Sequence, residues 1–301
     1  MKFKRLKKVF QMASLLCVGF CMMAAPAGAA PADNEKRSGV MEHRVAGAAA
    51  RTGQLFPGQA LPEAATDPDF AATMERFIYG EVEQQGNLTD RDRSLVTLVV
   101  LETQGSQKLL QRNVEGALNA GVSPVEIKEA FYQAAPYIGF GRALEAIDTA
   151  NEVFQAKGIA LPLASQATVN EENRMSEGLA VQKKIFGAEN IDAMYAHAAA
   201  EQLPIQHYLS AYCFGDTYTR RALDIKQREM LTMAAIAALG GCEPQLKAHI
   251  GANLKVGNSR QTIFSVLNEC VPYIGFPRSL NAIRCMNEVF AAQDAAPAAK
   301  K

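Results

Sequence analysis

Two side chains in the last third of the chain carry the means for proton-transfer or thiol chemistry. Cys242 and His249 are seven residues apart. On one helix that spacing is nearly two turns, so both side chains face the same way but stand ~10 Å apart along the axis. They cannot touch, and Gln245, four residues before His249, is placed to bridge them. Gly240-Gly241-Cys242-Glu243-Pro244 reads as a loop entering a helix. A thiol there is acidified by the helix dipole, although Glu243 opposes this. The alternative is a small side chain filling a turn. His249 exchanges protons near neutral pH, and the alternative for it is a buried ring satisfied by a carbonyl. Arg278 follows Gly275-Phe276-Pro277 at an expected helix start, where the dipole disfavours a cation. It either pairs with a carboxylate of the protein or grips a substrate carboxylate through two hydrogen bonds. Tyr273, in the same stretch, is the second candidate substrate contact. His43, His197 and His207 have no metal-ligand spacing with another His, Cys or carboxylate. No metal and no cofactor are expected, since phosphate-binding glycine loops and G-x-S-x-G are absent from the sequence.

The elements that position these residues occur twice. Pro136-Tyr137-Ile138-Gly139-Phe140 reappears as Pro272-Tyr273-Ile274-Gly275-Phe276, a shift of 272 − 136 = 136. The same shift carries Asn151-Glu152-Val153-Phe154 onto Asn287-Glu288-Val289-Phe290 and pairs Arg142 with Arg278, Gly121 with Gly257 and Leu95 with Leu231. So many matches in one register mark a duplication. Within each copy the apolar spacing is helical. Ser123-Pro124-Val125-Glu126 reads as a capping box with Pro at the first helical position, after a helix closed by Gly121. Read at the 136 shift, the first copy has Arg93, Ser106 and Asn113 at the positions of Glu229, Cys242 and His249. It is expected to be chemically silent. Cys270 and Cys285 fall on apolar helix positions and are expected in the core.

The chain opens with Lys2, Lys4, Arg5, Lys7 and Lys8, then an apolar run from Val9 to Ala25 and Ala27-Gly28-Ala29, the pattern of a cleaved signal peptide. Residues 1–30 are therefore expected to be removed, and the protein to be exported to the periplasm. Residues 31–65 read as a flexible leader, 66–160 as the first helical domain, 161–292 as the second and 293–301 as a frayed tail. Phe186-Gly187 and Phe214-Gly215 punctuate extra helices between Glu171 and Thr219. Acidic and basic residues balance at 31 each, and the leader takes five of the positive charges, so nucleic acid and anionic membranes are poor partners. No later segment is long and apolar enough to span a bilayer.

Cys213-Phe214-Gly215-Asp216, Arg228-Glu229-Met230-Leu231-Thr232, Gln245-Leu246-Lys247-Ala248-His249-Ile250 and Tyr273-Ile274-Gly275-Phe276-Pro277 resemble the carboxymuconolactone decarboxylase family, which shares the alkylhydroperoxidase-D-like fold. The resemblance covers Arg174 to Ala291 well and Phe70 to Ala156 more weakly. It implies an all-α chain of two tandem helical bundles, the first degenerate. Glu229 resembles the family's upstream glutamate and would orient His249 or act as a second acid–base. Cys242 matches the first cysteine of the family's redox branch, but Gln245 stands where the second would be. The resemblance implies decarboxylation or isomerisation of a small carboxylic acid or lactone. Alternatives are a thiol-dependent, peroxiredoxin-type peroxidase using Cys242, or a non-catalytic binding protein that kept the fold. The family's ring assemblies imply a homo-oligomer, here a trimer of two-copy chains forming a pseudo-hexamer.

Overall fold

The computed structural model describes residues 31–295; the basic and apolar leader lies outside the described residues, as do residues 296–301 of the tail. Among the described residues the regular structure is all helical. Pro31–Leu55 forms α1, Pro68–Phe77 α2, Asp90–Gln104 α3, Gln107–Asn119 α4, Pro124–Ile138 α5 and Phe140–Ala156 α6. Arg174–Phe186 forms α7, Ala188–His197 α8, Leu203–Tyr208 α9, Ile225–Leu239 α10, Glu243–Val256 α11 and Arg260–Ala295 α12. α2 and α9 continue into wider π-helical turns, Ile78–Val82 and Leu209–Tyr218. α12 is kinked at Gly275, whose φ of 75° matches the 85° of Gly139 between α5 and α6. Only glycine adopts that backbone without steric cost. The kinked α12 is thus the second copy of the α5–α6 hairpin.

The caps form as their residue types dictate. Ser123 accepts from Glu126 N and Glu126 returns a bond to Ser123 N, completing the expected capping box. Asp224 and Gln227 form the same box at the start of α10. Thr89 caps α3 by accepting from Asp92 N at 3.1 Å.

The two copies are present in tandem, and their bundles share a core. One apolar core runs through both, with Leu95, Leu98 and Leu101 of α3 meeting Leu231 and Met233 of α10. Each fully buried Leu contributes about 1.5–3 kcal/mol by leaving water. A crosswise polar layer joins the copies. Arg93 pairs with Glu269, which also accepts from Thr97 at 3.0 Å. In mirror position Arg228 donates to Gln133 at 2.8 Å, and Gln133 donates to Thr232 at 3.0 Å.

This layer corrects the register of the duplication. Arg93 corresponds to Arg228 and Thr97 to Thr232, a shift of 135, whereas Gln133 corresponds to Glu269, a shift of 136. The extra residue lies in the Gly240-Gly241 turn, where both glycines take positive φ against the single Gly105 of the first copy. The position equivalent to Glu229 is therefore Ser94, not Arg93. Arg93 is instead a buried arginine of the shared core.

Two further expectations change. The segment read as a flexible leader is helical, and from His43 onward it packs: Ala48, Leu55 and Phe56 are buried, and Arg51 bonds Glu83 at 2.6 Å and Asp90 at 2.9 Å. The contact is close: a Cβ at Gly80, on the facing π-helical turn, would lie 2.1 Å from the Arg44 carbonyl, and a Cβ at Gly47 3.9 Å from the Gly80 Cα. The segment from Leu203 to Tyr218 is not an insertion but the counterpart of α2 and its π-helical turn. Gly215 does not break it; a Cβ there would lie 2.2 Å from the Arg174 carbonyl, so the glycine lets α7 approach.

Candidate functional site

Glu229 and His249, 20 residues apart on α10 and α11, meet directly: His249 Nδ1 lies 2.8 Å from Glu229 Oε2. Glu229 is fully buried and His249 is 7% exposed. The helix pair is held in register by Asn253, whose Nδ2 donates to the Glu229 carbonyl at 3.0 Å and the His249 carbonyl at 2.8 Å. The second carboxylate oxygen, Oε1, accepts from Tyr218 OH at 2.8 Å. Tyr218 OH lies 3.2 Å from Tyr137 OH and 2.9 Å from Thr232 Oγ1, and Cys213 Sγ donates to Tyr137 OH at 3.5 Å. A single ordering satisfies every group. The thiol donates to Tyr137, Tyr137 to Tyr218, and Tyr218 to Glu229.

Burial pushes both phenols well above the ordinary tyrosine range, with the Glu229 charge adding to it, so they stay protonated and donate. With both its oxygens accepting, Glu229 fixes the Nδ1–H tautomer of His249 and leaves Nε2 as the free nitrogen. The ring is steadied by the edge-on aromatics Tyr137 and Phe186, with centroids 5.6 and 5.4 Å away.

His249 lines a cavity of about 810 Å³. Its floor comes from α10 and α11, and its sides from Leu209, Cys213 and Phe214 of the π-helical segment. α7 and α8 cover it with Ile185, Phe186, Ile191 and Met194. Pro136 and Tyr137 come from α5, in the first copy. The cavity of the second copy is therefore walled in part by the first, which lacks the Glu229–His249 pair.

Cys242 is the N-cap residue of α11, half-buried, and lines the same cavity with Gln245 between it and His249. The helix-entrance reading of this cysteine agrees with its place. Cys213, the other thiol in the cavity wall, is pushed up to about 12 by burial and carries little thiolate at neutral pH. Cys270 and Cys285 are buried, and burial raises both thiols.

The two assigned substrate contacts lie elsewhere. Arg278 Nη1 donates to the Ala238 carbonyl at 2.7 Å and to Gln104 Oε1 at 2.8 Å, capping the C-terminal end of α10. Carbonyls at that helix end attract a cation, which answers the puzzle of a cation at a helix start. Tyr273 is half-buried near Tyr79, Glu269 and Glu83, in the first copy's half of the core. The hairpins cross over, so each copy's Pro-Tyr motif packs against the other copy, and the motif tyrosine beside the Glu229–His249 pair, behind Tyr218, is Tyr137. The repeated motif contained this signal, but not which site it faced. Tyr218 had no sequence signal beyond its polar type, and Thr232 had only its place in the Arg228–Thr232 motif. In the first copy Asn113, at the place of His249, donates to its own helix at the Leu109 carbonyl, 2.8 Å away.

A buried carboxylate–imidazole pair in a mainly apolar cavity, inside a duplicated helical fold, is a candidate acid–base site on a tandem-repeat scaffold. The carboxymuconolactone decarboxylase family model matches residues 68–152 and 204–288, which is more than half of the chain, so this protein belongs to that family. It is 26% identical over 122 residues to the 4-carboxymuconolactone decarboxylase of Acinetobacter baylyi, covering 40% of this chain and 90% of that protein. It is 26% identical over 123 residues to the nitrosuccinic acid decarboxylase of Metarhizium robertsii, covering 40% of this chain and 85% of the relative. An uncharacterised 15.0 kDa protein of Paracoccus denitrificans is 32% identical over 82 residues, covering 27% of this chain and 61% of the relative.

Proposed function

We propose that this chain catalyses decarboxylation or isomerisation of a carboxylic acid or lactone by acid–base chemistry at His249. The observation that carries the reading is the 2.8 Å contact between buried Glu229 and His249 Nδ1, which leaves Nε2 in the wall of the cavity. In a decarboxylation, the bond to the carboxylate carbon breaks and carbon dioxide leaves. The electron pair moves onto a carbonyl β to that carboxylate, and protonated Nε2 donates to the resulting enolate carbon. In an isomerisation, Nε2 removes a proton next to the carbonyl and returns it at another carbon. Glu229 holds the ring and balances the imidazolium charge while the proton is on it. The decarboxylase relatives support this class of chemistry. The basic and apolar leader supports export to the periplasm as the setting.

The test is turnover of carbonyl acids and lactones, followed by carbon dioxide release and by exchange of substrate protons with deuterated solvent. His249→Ala should abolish turnover and Cys242→Ser should leave it. Peroxide consumption that disappears in Cys242→Ser, with His249→Ala turnover intact, would replace this reading by the thiol-dependent one.

A further inference from the structure

The cavity at His249 has a composition that selects among acids. Its wall carries no Asp or Glu, and its single permanent charge is Lys255, exposed beside the Gly187 turn. A Cβ on Gly187 would lie 3.6 Å from Lys255 Nζ, so the turn holds the ammonium close to the end of α7. Lys255 has no carboxylate partner among the described residues. The rest of the wall is predominantly apolar, and its cover, Ile185, Phe186, Ile191 and Met194, lies ahead of residue 204, where the second family match begins.

Resting on the reading that this cavity holds the substrate, we propose that the ligand is an amphipathic monoacid: one anionic group and an aliphatic or aryl body. One cation neutralises one anion. A second carboxylate would have to leave water for a mainly apolar wall whose other donors are the neutral amides of Gln182, Asn190 and Gln245 and the His249 ring, which the reacting end of the substrate occupies; those amides replace water only in part, at an unfavourable cost. The body of the acid, in contrast, gains by burial against the cover helices. At about 810 Å³ the space is at the upper end of ordinary small-molecule sites and is poorly filled by a short, polar diacid. Specificity is thus set by α7 and α8, whereas the proton-transfer pair comes from α10 and α11.

Calorimetric titration of the full chain with octanoate, 4-phenylbutyrate and adipate tests this. Octanoate and 4-phenylbutyrate are expected to bind at least about tenfold more tightly than adipate. Lys255→Ala, at an exposed position, should weaken octanoate by about tenfold and leave octanol unchanged. Met194→Glu, which puts a second carboxylate into the cover, should weaken octanoate by a larger factor. Adipate binding as tightly as octanoate, or octanoate binding indifferent to both substitutions, overturns the proposal. His249→Gln separates this inference from the catalytic one: octanoate should still bind there, whatever happens to turnover.

Discussion

Replacing Glu229 by Gln changes one atom and should reverse the chemistry of the ring it holds. Tyr218 OH donates to Glu229 Oε1 at 2.8 Å, and that bond constrains how an amide can sit. With its oxygen toward Tyr218, the Gln NH2 faces His249 Nδ1, where the carboxylate accepted before. A donor there requires Nδ1 to accept, so the ring proton moves to Nε2 and the cavity-facing nitrogen loses its lone pair. The aromatic edges of Tyr137 and Phe186 still hold the ring, so position is kept while the tautomer is inverted. Stability should fall by at most about 1.5–3 kcal/mol, the worth of a hydrogen bond to a charged group. For a protein of this size that is ~2–4 °C in melting temperature for each kcal/mol. Turnover by base catalysis should fall by roughly 10²–10⁴-fold. The direct assay needs no substrate: long-range ¹⁵N correlation spectra report the tautomer of each of the four histidines, with His249→Gln identifying the signal. The expected result is Nδ1–H in the wild type and Nε2–H in Glu229→Gln. An Nε2–H tautomer in the wild type, or no change on substitution, would refute the reasoning.

Tyr137→Phe removes the donor to Tyr218 and the acceptor of the Cys213 thiol. It should lower turnover at the second copy's site although it lies in the first, whereas Tyr273→Phe, its repeat partner, should not; steady-state kinetics of the pair decides. Glu102 is buried with both carboxylate oxygens unpartnered, and desolvation raises it well above its ordinary 4.5. Between 4.5 and that raised value the folded state holds a proton the unfolded state has lost, so its contribution to stability falls as pH rises through the window. Glu102→Leu should therefore gain about 1–3 kcal/mol over the wild type at pH 8 and less at pH 5, and melting curves showing a pH-independent difference count against this. Exposed apolar residues recur in register on both copies, Phe140 and Leu144 against Phe276 and Leu280, each more than half exposed. A further copy of this chain is the expected cover. Light scattering should give a trimer that Leu144→Glu with Leu280→Glu dissociates; a wild-type monomer at micromolar concentration removes the argument.

The helical class and the tandem repeat were legible because each leaves a local mark, whereas Glu229 was placed beside His249 only by the family resemblance. Caps and turn glycines are written in four or five adjacent residues, and a duplication needs only the sequence to be compared with itself. What could not be read was the direction in which the repeats pack. Tyr273 looked like the site tyrosine because it lies in the copy that keeps the histidine. The crossover of the two hairpins reassigns the role to Tyr137, and nothing local to either motif encodes a crossover. The one-residue register change at Gly240-Gly241 had the same effect on Arg93. Matches on both sides of the turn agree at 136, so the stretch at 135 is revealed only by its buried partners. The segment 43–65 was misread for a third reason: its Ala and Gly content resembles that of a linker until the surface that tolerates such close approach is known.

The same crossover explains why a copy without acid–base groups persists in the chain. If each copy supplied its own tyrosine, the first could decay without consequence for the second. Because Tyr137 and Pro136 wall the Glu229–His249 cavity, and Gln133 and Glu129 hold Arg228 at the start of α10, the first copy is bound to the geometry of the surviving site. The position equivalent to His249 holds Asn113, which bonds only its own helix. The asymmetry follows the side chains that cross between copies: the crossing pairs remain hydrogen-bonding groups, Tyr137 and Tyr273 identically and Gln133 and Glu269 as amide and carboxylate, whereas Ser94 and Asn113, which do not cross, differ from Glu229 and His249.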